Sequence, residues 1–154
     1  MKGLDLIAQA NRLARATKLR PRQVDTNRAM STAYYALFHT LARLCADTIV
    51  GTGKTRSGKA WLQIYRALAH GHAKNACAQT RNKNFPPEIL RFASAFVEQQ
   101  QLRHDADYDP SRTFKRSEVL SMIERAERAI LDMRTAPRSD LRAFVALVLL
   151  PERR

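Results

Sequence analysis

Glycine and proline are both scarce in this chain, five and six in 154 residues, and cysteine is scarcer, with two. So few turn-formers, beside abundant Ala, Leu and Arg, argue against a strand-and-turn protein and for helices. Cys45 and Cys77 are too few for a disulfide framework, so a reducing compartment is expected. Long apolar runs are missing as well. The longest, AFVALVLL at 143–150, has eight residues, where a bilayer span needs roughly 20. No N-terminal stretch has the charged, apolar and small-residue regions of a signal peptide. A soluble, cytoplasmic protein without membrane contact is expected, and at this length it can bury one full core.

Acids are the other shortage: 14 against 27 Lys and Arg, for a formal charge of +13. Residues 48–87 contain none, against Lys54, Arg56, Lys59, Arg66, Lys74, Arg81 and Lys83. The first 30 residues hold seven bases and only Asp5 and Asp25. A one-sided positive field attracts polyanions, though it does not separate RNA from DNA.

What the chain does have is helical periodicity, in six segments. The first, about 4–18, turns Leu4, Ile7, Ala8 and Leu13 inward, and Pro21 breaks the chain after it. The second, about 26–49, is capped by Asp25 or Thr26. Gly51, Gly53 and Gly58 mark a loop. The third, about 59–72, carries Trp61, Leu62, Tyr65, Leu68 and Ala69. Residues 73–85 are polar and basic and read as a mobile loop. Pro86 and Pro87 open a fourth helix, about 87–104, with Ile89, Phe92, Ala93 and Phe96 inward. Ser117 caps a fifth, about 117–135, with Val119, Ile123, Ala126, Ile130 and Met133 inward. A short last helix starts near Ser139 or Asp140 and runs through Leu150. The expected fold is all-α: an up-and-down helical bundle over 1–136 with a C-terminal appendage over 137–154. AFVALVLL is apolar all round, so it is either core or a partner surface, and self-association is expected.

The second segment holds the first candidate site. One face, Met30, Ala33, Leu37, Leu41, Leu44 and Cys45, is plain core. Arg28, Thr32, Tyr35, His39 and Arg43 share the adjoining stripe, because residues 4, 7 or 11 apart return to nearly one face. Unpaired buried polar groups cost on the order of 1–3 kcal/mol each, so such a stripe is either satisfied by partners or lines a site.

Other motifs carry less. GKTRSGK at 53–59 fits a phosphate loop, but Ala60 stands where a Ser or Thr must hold magnesium, and a helix precedes it rather than a strand. Lys54, Arg56 and Lys59 are better read as a flexible basic loop for backbone phosphates, joined by Arg28 and Arg43. His70, His72 and Cys77 lie close in sequence, but histidines two apart on a helix face different ways and nothing completes four ligands. No metal and no cofactor are expected. After the fourth helix comes RHDADYDP, 103–110. Arg103 is seven residues after Phe96 and fourteen after Ile89, so it continues the inward stripe, and Asp107 can pair with it four residues on. An Arg, a His and one or two phenols, here Arg103, His39, Tyr35 and Tyr108, are tools of metal-free phosphodiester chemistry: the imidazole moves protons and the guanidinium holds developing charge.

At these residues the chain resembles HEPN-domain proteins, small helical bundles of prokaryotic toxin, defence and nucleotidyltransferase-linked systems. STAYYALFH at 31–39 is similar to the Ala-Tyr-Tyr-Ala-x-Phe-His run of a small branch of that family, and RHDADYDP resembles its Arg-x-x-Ala-Asp-Tyr turn. The resemblance spans roughly 4–135. It implies a homodimer and a metal-independent ribonuclease whose motif is Arg, four to six residues, then His. Arg103 matches the arginine and Tyr108 occupies the histidine position, so His39 is expected to supply the imidazole. Pro110 stands where a nucleotidyltransferase-regulated branch has its modified tyrosine. The resemblance therefore implies an RNA- or nucleotide-binding protein, a divergent endoribonuclease of a toxin or defence system. The alternative is a non-catalytic interaction module that partners a nucleotidyltransferase or a toxin of a toxin–antitoxin pair.

Overall fold

The computed structural model describes residues 2–153, and among these it is all-helical, with no strand. The elements are α1 (Lys2–Ala14), α2 (Gln23–Val50), α3 (Gly58–Ala67), α4 (His70–Gln79) with a 3-10 turn at Thr80–Asn82, α5 (Pro87–Tyr108), α6 (Arg116–Met133) and α7 (Arg138–Leu149). No described helix is long and apolar enough to cross a membrane.

α2 is the axis of the bundle and touches α1, α3, α5, α6 and α7. It can do so because its buried positions alternate small and large: Ala29, Ala33, Ala36, Ala42 and Ala46 let neighbours approach, and Met30, Tyr34, Leu37 and Leu41 fill the space between. From α5 come Ile89, Phe92 and Phe96, and from α6 Val119, Ile123, Ile130 and Met133, all buried as their spacing predicts. Each such side chain contributes about 1.5–3 kcal/mol by leaving water.

α7 joins this same core through Phe144, Val145 and Val148, with Phe144 edge-on to Phe92 and Phe85. The AFVALVLL segment is thus largely accounted for within one chain. It leaves Leu150 exposed and no longer motivates self-association.

The expected third helix and the loop after it need correction. The chain leaves helical geometry at Leu68 and Ala69 (ψ 121° and 133°), which drops Leu68 into the core. Residues 73–85 are not a loop: most of the segment is α4 and the 3-10 turn. Ala73, Ala76 and Cys77 form its inward stripe, and the Thr80 hydroxyl donates to the Cys77 carbonyl at 2.7 Å. Alanine is the best helix former, but small residues give a faint inward signal beside Lys74 and Asn75.

Two expected caps also move. α2 starts at Gln23, with neither Asp25 nor Thr26 as its cap. Gln23 instead exchanges hydrogen bonds with the Phe114 backbone, its amide donating to the carbonyl at 3.3 Å and its oxygen accepting from the N–H at 3.0 Å. α6 starts at Arg116 rather than after Ser117. The Arg116 guanidinium reaches back to the carbonyls of Ala14 (2.9 Å) and Leu19 (2.8 Å) and so fixes the α1–α2 connection. α2 ends at Gly51, whose φ of 101° is open to glycine and strained for other residues.

Candidate functional site

The stripe on α2 divides between two neighbouring places. At one, Arg28, Thr32 and Tyr35 line a cleft of about 400 Å³ with Ser31 and with Asp107 from the end of α5. α5 persists through Tyr108, so Arg103 and Asp107 lie one turn apart and pair at 3.4 Å. Asp107 also accepts the Ser31 hydroxyl at 2.7 Å, tying α5 to α2. The Arg103 side chain is only 14% exposed. Its guanidinium carbon lies 5.2 Å from the centre of the Tyr34 ring and 5.8 Å from that of Tyr35. Its Nε is buried and finds no hydrogen-bond partner among the described residues. The guanidinium is thus a cation held against two rings, and its terminal nitrogens, one of them paired with Asp107, are the donors an anion could meet.

At the second place, His39 Nδ1 lies 2.5 Å from the Tyr65 hydroxyl of α3. The Tyr35 and His39 rings, 6.2 Å apart, connect the two places. Burial holds the His39 pKa below its ordinary 6.5, and the positive charge of Lys2 adds to this. Burial pushes the Tyr65 phenol up, so that hydroxyl keeps its proton.

Sequence reasoning missed the residue that completes the site. His70, the first residue of α4, places Nδ1 2.6 Å from the Tyr34 hydroxyl and stacks on Phe38 at 3.9 Å and 14°. Its pKa is lowered by burial, then by the nearby charges of Arg103 and His39. Tyr34 is fully buried, and burial raises its pKa strongly although Arg103, by charge and hydrogen bonding, pulls it down. A phenol that keeps its proton and faces Arg103 donates to the imidazole. With that hydroxyl as the donor, His70 is the tautomer with its proton on Nε2. Neither His39 nor His70 has a buried, partnerless ring nitrogen, whereas His72 Nε2 is buried without a partner. His70 and Tyr34 are 36 residues apart, and no periodicity links them.

Tyr108 does not enter this site. Five residues after Arg103 is about 500° of helix, or some 140° around. Tyr108 is 68% exposed and lies beside His104, 4.9 Å between rings.

The basic residues gather at the other end of α2, around Asp47. Arg43 pairs with it at 3.5 Å and Arg56 at 3.9 Å, and the Trp61 indole N–H donates to it at 2.8 Å. Lys54 and Lys59 are exposed, one in the loop and one in the first turn of α3. That loop follows a helix, and its Ser57 hydroxyl caps α3 by accepting the Ala60 N–H at 3.2 Å. Arg138 and Arg142 of α7 line a further cleft of about 350 Å³ beside Gly51 and Thr52, extending the basic surface to a helix the sequence did not implicate. Three or more metal-ligating side chains do not come together among the described residues.

No family model, curated protein or solved structure matches this chain.

Proposed function

We propose that this protein is a HEPN-like bundle that binds single-stranded RNA at the face around Arg103, beside the cleft lined by Arg28, Thr32 and Tyr35, and cleaves it without a metal. The observation that carries the reading is the gathering around Tyr35 of Arg103 and two imidazoles, each hydrogen-bonded to a phenol. Arg103 and the His70 Nε2–H supply donors to a phosphate. His39 takes the ribose 2′-hydroxyl proton at its outer nitrogen, a step that requires the tautomer whose Nδ1–H donates to a Tyr65 oxygen lone pair. The 2′ oxygen bonds to phosphorus, the bond to the 5′ oxygen breaks, and that oxygen leaves with a proton from solvent. The products are a 2′,3′-cyclic phosphate and a 5′-hydroxyl. The basic end around Lys54, Arg56 and Lys59 adds affinity through counterion release. The family resemblance supports a cytoplasmic homodimer in a toxin or defence setting.

The test is incubation of the pure protein with end-labelled RNA in EDTA, beside Arg103→Ala and His39→Ala. Cyclic-phosphate ends are expected, with a loss of about 100-fold or more in Arg103→Ala, the usual scale for a charge-stabilising group. Undiminished cleavage in both variants refutes the site. Binding without cleavage refutes the chemistry and leaves an RNA-binding module. Neither binding nor cleavage favours an interaction module that partners a nucleotidyltransferase or toxin.

A further inference from the structure

α3 buries none of its residues, although it carries Trp61, Leu62, Ile64 and Tyr65. Leu62 is exposed, and the other three are half-buried against α2. The Trp61 ring is held at its nitrogen by Asp47, and over its face sits the Arg56 guanidinium, 4.4 Å from the centroid. From Trp61 the rings run on in sequence. Tyr65 stacks at 5.2 Å and His39 on Tyr65 at 5.9 Å, then Phe38 follows at 5.7 Å and His70 at 3.9 Å. Every member of this strip is partly accessible. Arg56 stands at one end of it and Arg103, near Tyr34 and Tyr35, at the other.

A guanidinium is a flat π-cation, and the face it covers on an indole is the face on which a nucleobase stacks. We infer that this strip is the track of the RNA strand, with one base taking the place of Arg56 on Trp61 and the adjoining backbone running toward Arg103 and His70. The inference rests on the RNA-binding reading and adds where the strand enters and how it is held there. The Arg56 ion pair with Asp47 is long, 3.9 Å, and is partly exposed. Moving that guanidinium onto a phosphate therefore sacrifices little. The acid at the spot, Asp47, keeps Arg43 at 3.5 Å and the Trp61 N–H when Arg56 moves, and the exposed Lys54 and Lys59 lie close by in sequence. Because stacking accepts any base, the track gives affinity without sequence choice.

Trp61 is the one tryptophan of the chain, so its emission reports this subsite alone. The experiment is titration with a short oligouridine, following tryptophan emission and the anisotropy of a labelled strand in the same samples. Emission is expected to be quenched with the same midpoint as the anisotropy change. Trp61→Ala, checked for fold by circular dichroism, is expected to weaken binding about 5- to 160-fold, the range for loss of one stacked base, with an unchanged salt slope. An abasic strand of equal length is expected to bind the wild type and Trp61→Ala equally. Strand binding with unaltered emission, or with full affinity in Trp61→Ala, overturns the track and leaves the RNA-binding reading standing. No binding at all overturns both.

Discussion

Replacing Tyr34 by Phe removes one oxygen and leaves the ring, so packing on Phe96 and Phe38 and the Arg103 contact persist. What is lost is the 2.6 Å hydrogen bond to His70 Nδ1, together with the hydroxyl's hydrogen bonding to Arg103. A net intramolecular hydrogen bond contributes about 0.5–1.5 kcal/mol, and an acceptor left partly buried adds to the loss, so a cost of about 1–2 kcal/mol is expected. In a domain of this size that is a fall in Tm of about 2–8 °C. The second consequence is specific to the proposed tautomer. In the wild type, protonating His70 puts a hydrogen on Nδ1 opposite a phenol that already donates there, beside the Arg103 charge. Without the hydroxyl, a proton on Nδ1 no longer meets a donor, so the His70 pKa should rise, while burial and the charges of Arg103 and His39 keep it below its ordinary 6.5. Urea unfolding measures the first effect and a histidine ring NMR titration the second. Unchanged stability with an unchanged His70 titration would refute the Tyr34–His70 pair, and with it the assignment of the Nε2 proton.

His39 and His70 both have folded-state pKa values below 6.5. The unfolded chain therefore takes up protons first as pH falls, and the stability these groups contribute is present above about 6.5 and lost as pH drops through their folded values; urea midpoints across that window should show the slope, and His39→Gln with His70→Gln should flatten it. Cleavage needs His39 neutral, so its acid limb should lie below pH 6.5, and a rate profile with that limb above 6.5 contradicts the assignment. Replacing Lys54, Arg56 and Lys59 with Gln should lower the salt slope of RNA binding by about 2, at roughly 0.7 per phosphate contact on a single strand, as read from anisotropy at several salt concentrations.

The large helices were legible because large apolar side chains three and four apart can face only one way. Phe92 and Phe96 on α5, or Ile123 and Ile130 on α6, leave no competing arrangement. The same logic placed Arg103 inward and Asp107 beside it. α4 was not legible, because its inward face is Ala73, Ala76 and Cys77 and its outward face gives the segment its polar character. Nor was the break before it, which exists to bury Leu68 and depends on tertiary packing. His70 owes its place to that break. On a continuous helix through 72 its neighbours would have been different, and a pattern read along one helix cannot find a partner on another. Spacing within a motif suggests that Tyr108 joins the site, whereas the continuing helix carries it round to the exposed side.

Whether RNA engages the Arg103 face is measured most directly by histidine ring NMR during titration of the wild-type protein with a short RNA. If it does, the His39 and His70 ring signals shift together and saturate with the binding curve, while His72, with its buried Nε2, stays in place. Saturable RNA binding that leaves both His39 and His70 unmoved would contradict that engagement.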